Sequence, residues 1–263
     1  KPTMSGWEHK MSPKLSAKMN ECLLPYQRTA VYRMIHHKKL INATAMGGGK
    51  SLQSLCALMY YYRKNRSRDI IICPSYLKNN WCNEIRLWMN EEHLDSVVNI
   101  KNAGKKKIDD VIQTLKTHRG IIIISYDMLA NVSKHLDTNV TFDTVICDEA
   151  HFLKECKTKR FKSLSPIIRR GSQIYLLTGT PSPNRPKELY SLFSLIHPMT
   201  FFNYRTFTDR YCDGHFDKFN HYNDRGYSRL KELSYMMTKL MIRIRMEDHT
   251  DQLPKESRSQ VII

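Results

Sequence analysis

Two short runs hold side chains able to handle a phosphate group. In the first, Gly47, Gly48 and Gly49 precede Lys50 and Ser51. Backbone N–H groups freed by glycine can point at phosphate oxygens, an ammonium can reach the outer phosphates, and a hydroxyl can hold Mg²⁺. The strict G-x-x-x-x-G-K-[ST] pattern is not met, because Thr44 stands in the first glycine's place. Taken alone, this run also suits a flexible turn. In the second run, the apolar Val145-Ile146-Cys147 ends in Asp148-Glu149-Ala150-His151. A first acid there can hold Mg²⁺ and a second can polarise an attacking water, although acid pairs also serve as caps. Each run makes the phosphate reading of the other stronger.

The elements that must position these residues are readable from periodicity. Apolar strand candidates (LINATA, DIIICP, SVVNI, GIIIIS, FDTVICDE, SQIYLLTG) alternate with helical patterns of ten to fifteen residues. Near-continuous apolar strands separated by helices predict an α/β fold, a doubly wound, mostly parallel sheet covered on both faces. In such sheets ligands sit beyond the carboxyl ends of the strands, where both runs fall. Residues 1–20 lack periodicity and read as a leader. Residues 21–200 read as the α/β lobe, and residues 201–263, rich in aromatics and charge, read as a small helical protrusion with a trailing connection.

Lys and Arg number 42 against 25 Asp and Glu, a formal charge of +17, so polyanions are the expected partners. No apolar run approaches the roughly eighteen residues a membrane helix needs, and no membrane partner is expected. The seven scattered cysteines suit a reducing compartment, and no Cys or His spacing fits zinc. The chain opens on Lys1 and closes on Val261-Ile262-Ile263, so it reads as part of a longer protein.

Six segments together resemble the N-terminal RecA-like lobe of the superfamily-two helicases, and among them the Swi/Snf-type DNA translocases. They are LLPYQRTAV (Leu23–Val31), MGGGKS (Met46–Ser51), IICPSYLKNNWCNEIRLW, IIIISYDML, DEAH, and LLTGTP (Leu176–Pro181). DEAHFLKE, LLTGTPSPNRPKELYSL, FTDRYCDGH and MIRIRMEDHTDQLPKESRSQVII are similar in order to the annealing-helicase branch. Where that family carries an acidic pair and a leucine around the glycines, this sequence has Thr44-Ala45 and Gly48, while Lys50, Ser51, Asp148 and Glu149 remain.

The resemblance implies an ATP-binding lobe of a DNA-dependent ATPase acting with Mg²⁺ in the nucleus, with a second RecA-like lobe supplying an arginine finger. It implies that Gln27 reads the adenine edge, that Arg28 and Met46 through Ser51 line the nucleotide, and that Ser51 and Asp148 hold Mg²⁺. Lys50, Asp148 and Glu149 become the catalytic set, and Thr178, Gly179 and Thr180 the link from nucleotide to DNA. For phosphates of DNA, the loops after the strands offer Ser75, Tyr76 and Lys78, then Ser125 and Tyr126, then Lys154, Lys157, Lys159 and Arg160. A chromatin remodeller, a DNA-binding scaffold with weakened catalysis and, more distantly, an RNA helicase stay open as alternatives.

Overall fold

The computed structural model describes residues 17–100, 108–179, 185–245 and 247–248. In chain order its first elements are α1 (Ala17–Cys22), α2 (Pro25–His37), β1 (Lys39–Asn42), α3 (Lys50–Tyr61), β2 (Arg68–Cys73), α4 (Lys78–Trp88), α5 (Glu91–Leu94) and β3 (Val97–Asn99). Then come α6 (Ile108–Thr117), β4 (Gly120–Ser125), α7 (Tyr126–Val132), β5 (Thr144–Cys147), α8 (Lys159–Arg169), β6 (Gln173–Leu177) and α9 (Lys187–Ile196). The chain continues through α10 (Tyr204–Tyr211), β7 (His215–Phe216), β8 (Tyr222–Asn223), α11 (Leu230–Leu240) and β9 (Met241–Ile242).

Seven strands form one sheet in the order β3-β4-β2-β5-β6-β1-β9, every pairing parallel. Because side chains alternate across a strand, a run such as Ile70-Ile71-Ile72-Cys73 feeds both faces at once. Ile70 and Ile72 join the core beneath α6 to α11, while Ile71 and Cys73 join the core beneath α1 to α4. This is the α/β architecture the sequence predicts.

The trailing segment forms the helices α10 and α11 and is also tied into the lobe. Phe201, Phe207 and Tyr211 are buried in the same core as α9, and β9 adds to the main sheet beside β1, with Ile41 opposite Met241 and Asn42 opposite Ile242. The physical reason is that β1 would otherwise be an open edge with unpaired N–H groups. Among the described residues, the β7–β8 hairpin alone stands apart from the main sheet. Residues 1–16 of the leader and 249–263 of the trailing connection lie outside the described residues. Among the described residues no helix is long and apolar enough to cross a membrane.

Candidate nucleotide site and nucleic-acid face

The phosphate loop hangs between the end of β1 and the start of α3. Positive φ angles fall on Gly47 (76°) and Gly49 (82°), the left-handed region glycine enters without penalty. At Gly49 a side chain is also excluded by space, since a Cβ there would overlap Nε2 of Gln27. The loop rests on a buried polar network. Gln27 Nε2 donates to the Gly48 carbonyl at 3.2 Å and Gln53 Nε2 donates to the same oxygen at 2.9 Å. Asn42 Nδ2 donates to Gln53 Oε1 at 2.7 Å, and the Thr44 hydroxyl donates to Asn42 Oδ1 at 2.7 Å. Asn42, Thr44 and Gln53 have no solvent exposure. Neutral amides and a hydroxyl thus support the loop here, in the stretch that carries Thr44 and Ala45.

Lys50 opens α3, and its Nζ donates to the carbonyls of Thr44 (3.0 Å) and Ala45 (3.2 Å). Burial pushes its ammonium below the usual lysine range, while Glu149 and Asp148 pull it back up. The two acids are therefore electrostatic neighbours of the lysine, across the end of β6, which lies between β1 and β5. Ser51 follows in the first turn of α3.

Asp148 continues β5, its N–H bonded to the Ile72 carbonyl at 2.8 Å. Oδ2 accepts from the indole N–H of Trp81 at 2.9 Å, and Oδ1 accepts from the backbone N–H of Glu149 at 2.9 Å. Burial raises the Asp148 carboxyl above its ordinary value, and these two donors oppose the shift. Glu149 sits at φ 50°, a left-handed conformation that costs a non-glycine residue about 1–3 kcal/mol. Its Oε2 lies 3.0 Å from His151 Nδ1. Held this way, its carboxylate is partly exposed at the strand end.

The end of β6 completes the site. The Thr178 N–H donates to the Asn42 carbonyl at 3.0 Å. Gly179 lies against the phosphate loop, where a Cβ would come within 3.0 Å of Met46 Cγ and 3.7 Å of Lys50 Nζ. Three strand ends thus bring Lys50, the Asp148-Glu149 pair and Gly179 together. Thr180 lies outside the described residues. Arg28 points elsewhere: its guanidinium donates to the carbonyls of Leu23 (3.0 Å) and Asn20 (2.8 Å), tying α2 to α1.

The family model described as the SNF2-related domain matches residues 26–263. The chain belongs to the SNF2-related domain family. Among its curated relatives is the SWI/SNF-related matrix-associated actin-dependent regulator of chromatin subfamily A-like protein 1 of Xenopus tropicalis, 31% identical over 95% of this chain and 25% of the relative. The human DNA annealing helicase and endonuclease ZRANB3 is 29% identical over 91% of this chain and 22% of its own length. The chain spans about a quarter of the length of these relatives. The Sulfolobus solfataricus SWI2/SNF2 ATPase core in complex with dsDNA superposes with a TM-score of 0.70 at 21% identity, over 88% of this chain and 47% of that one. The RecA-like fold is thereby shown for this SNF2-related domain.

On the face expected to meet nucleic acid, the structure sorts the SNF2-domain candidates into two groups. Ser75, Tyr76, Lys154, Lys157 and Lys159 are exposed beyond the strand ends. Three others are not available. Lys78 is buried, and its ammonium donates to the Ile100 carbonyl at 2.7 Å. Ser125 is buried and accepts the Met128 N–H as the N-cap of α7. Tyr126 is buried too, its hydroxyl donating to the Asp148 carbonyl at 2.8 Å. Each satisfies a backbone group that the fold leaves open, which is why none faces outward. Arg160 is half spent, paired with Asp127 at 2.7 Å and lying 5.3 Å over the Phe152 ring.

Sequence reasoning missed Trp81, Asn42 and Gln53. Trp81 lies within the IICPSYLKNNWCNEIRLW segment, and Gln53 lies one helical turn after Lys50.

Proposed function

We propose that this chain is the first of two RecA-like lobes of a DNA-dependent ATPase that moves along DNA and remodels or anneals it, for instance at replication forks in the nucleus. The observation that carries the reading is the meeting of Lys50, Asp148 with Glu149, and Gly179 at three strand ends of an SNF2-related domain.

The residues present fit ATP and Mg²⁺. Half-buried Lys50 with two carboxylates as electrostatic neighbours is a donor set suited to polyphosphate and a divalent cation. Gly47, Gly48, Gly49 and Lys50 would hold the phosphates, Ser51 and Asp148 the metal, and Gln27 and Met46 the rest of the nucleotide. When bound, ATP with Mg²⁺ supplies an activated phosphoanhydride whose charge the metal partly neutralises. Lys50 releases its hold on the Thr44 and Ala45 carbonyls to serve an anion. Asp148, oriented by Trp81, presents a fixed carboxylate oxygen. Glu149 orients water and accepts its proton, with His151 as the adjoining base. Gly179 lets the β6 turn stand against Lys50, so a shift of the loop moves that turn and, with Thr178 and Thr180, the grip on DNA. Phosphates of DNA meet Ser75, Tyr76, Lys157 and Lys159, which gives affinity without base reading.

The test is phosphate release by the intact protein with single-stranded, duplex, forked and nucleosomal DNA, beside a strand-annealing assay. We expect forked DNA to stimulate turnover and Glu149→Gln to lower it by about 10²–10⁴-fold with nucleotide binding kept. Stimulation by nucleosomes alone would favour a chromatin-remodelling ATPase instead, a reading supported by the chromatin-regulator name of one relative. Absence of any DNA-stimulated release would leave a DNA-binding scaffold. Residues 1–263 alone should bind nucleotide weakly and hydrolyse almost none, because the arginine finger is assigned to the second lobe.

A further inference from the structure

The β7–β8 hairpin pairs His215 with Asn223 and Phe216 with Tyr222. Its tip is tightly built: Asp217 Oδ1 accepts the N–H groups of Phe219 and His221 at 2.8 Å each. The Asp217 N–H donates to the His221 carbonyl at 2.9 Å, and Asn220 takes the left-handed φ of 59° that closes the turn. This fixed tip holds Phe219 81% exposed, with Phe216 48% exposed behind it. The Arg205 guanidinium lies 4.7 Å over the Phe216 ring and 5.1 Å from that of Tyr222. The Tyr222 hydroxyl is itself pinned by Asp209 at 2.5 Å and Thr208 at 2.6 Å.

The acids around these rings are engaged with neighbouring groups: Asp209 lies 3.8 Å from the Arg205 guanidinium, Glu232 2.8 Å from that of Arg210 and Asp213 4.0 Å from His215. Residues 214–231 hold two acids, and both are engaged: Asp217 caps the tip, and Asp224 accepts from Lys187 Nζ and the Tyr204 hydroxyl at 2.7 Å each. Lys218, Arg225, Arg229 and Lys231 are exposed. The Asp224 anchor also places the hairpin. Lys187 opens α9, and Lys157 Nζ lies 5.3 Å over the ring of Tyr204, the partner of Asp224. The hairpin therefore rises beside the basic residues already assigned to DNA.

We infer that the hairpin is a second nucleic-acid contact, on which Phe219 stacks a base of single-stranded DNA while Lys218, Arg205 and Arg225 meet the flanking phosphates. A fixed, outward aromatic beside the exposed Lys218 suits an unpaired base, whose face is free; in a duplex those faces are already stacked. The inference rests on the DNA reading above and adds to it a preference for the unpaired strand.

The test uses the intact protein with a fluorescent oligothymidylate and a duplex of equal length, comparing wild type with Phe219→Ala, Phe219→Trp and Lys157→Glu. Phe219→Ala should weaken single-strand binding about tenfold, since base stacking contributes roughly 1–3 kcal/mol, and leave duplex binding unchanged. Phe219→Trp should keep the affinity and show indole quenching on the single strand. Lys157→Glu should weaken both ligands. Unchanged single-strand affinity in Phe219→Ala with an unquenched tryptophan would overturn the hairpin contact, while persisting duplex binding sensitive to Lys157→Glu would leave the DNA reading standing. Equal losses on both ligands would also overturn stacking. The same dependence on an RNA oligonucleotide with none on DNA would overturn the choice of strand. Failure of wild type to bind either DNA would remove both readings.

Discussion

Gly47 and Gly49 share a backbone conformation but not a neighbourhood, and that separates their substitutions. Alanine at Gly47 meets open space and bears only the left-handed penalty, about 1–2 kcal/mol. Alanine at Gly49 bears the same penalty and drives into the Gln27 amide, which must leave the Gly48 carbonyl. Denaturant melts should therefore show Gly49→Ala the less stable of the two, and nucleotide-dependent thermal shifts should be lost there first. Trp81 offers a second test at this scale. Trp81→Phe keeps a ring in the core but removes the N–H that favours the Asp148 carboxylate, so that carboxyl rises further. A lost hydrogen bond to a charged group costs about 1.5–3 kcal/mol. We expect Mg²⁺-dependent nucleotide affinity to fall about tenfold, and the acidic limb of the turnover–pH profile to move to higher pH.

Among the elements, β2 carries a charge at an unusual depth. Asp69 begins the strand's buried run, with Oδ1 accepting from the Thr144 N–H of β5 at 3.0 Å and Oδ2 without a hydrogen-bond partner. Burial pushes its carboxyl up to about 7, with the charge of Asp143 adding to the shift. In the folded chain the proton is held where the unfolded chain, near pH 4, has already released it. Asp69 therefore contributes stability that falls as pH rises from about 4 to about 7 and is flat above. Asp69→Asn, which keeps the acceptor for Thr144, should remove that slope from urea melts recorded across the window. An unchanged slope would mean the carboxylate is solvated in the folded chain.

Strands of this kind are also where the sequence was most legible. Ile121 to Ile124 or Ile70 to Ile72 announce a sheet covered on both sides, and the loop after β1 and the acids after β5 announce the site. A hydroxyl or lysine just past a strand is ambiguous by nature: Ser125 and Lys78 read like Ser75 and Lys157 until the backbone groups they satisfy are known. Trp81 meets Asp148 only through the fold, so no local pattern shows the pair.

For the molecule as a whole, the two-residue β9 has the widest reach. Beyond pairing with β1, it accepts the Ala43 N–H at the Ile242 carbonyl (2.7 Å), and the Ile244 carbonyl accepts the Ala45 N–H (3.0 Å). The first leg of the phosphate loop is thus hydrogen-bonded to the trailing chain, and Lys50 rests on carbonyls of that same leg. Removing residues 241–263 should open the β1 edge, lower the melting temperature by several degrees and weaken nucleotide binding. Calorimetry and nucleotide titration of the truncated protein check both, and an unaltered nucleotide affinity would show that the loop holds itself.

Seen mechanically, Ala43 and Ala45 are two rungs of a ladder whose other rail is Ile242 to Ile244. A load drawn along that rail runs in series through those rungs into the leg that carries Lys50. The cradle for the anion and that rail are therefore one spring, loaded or slackened together.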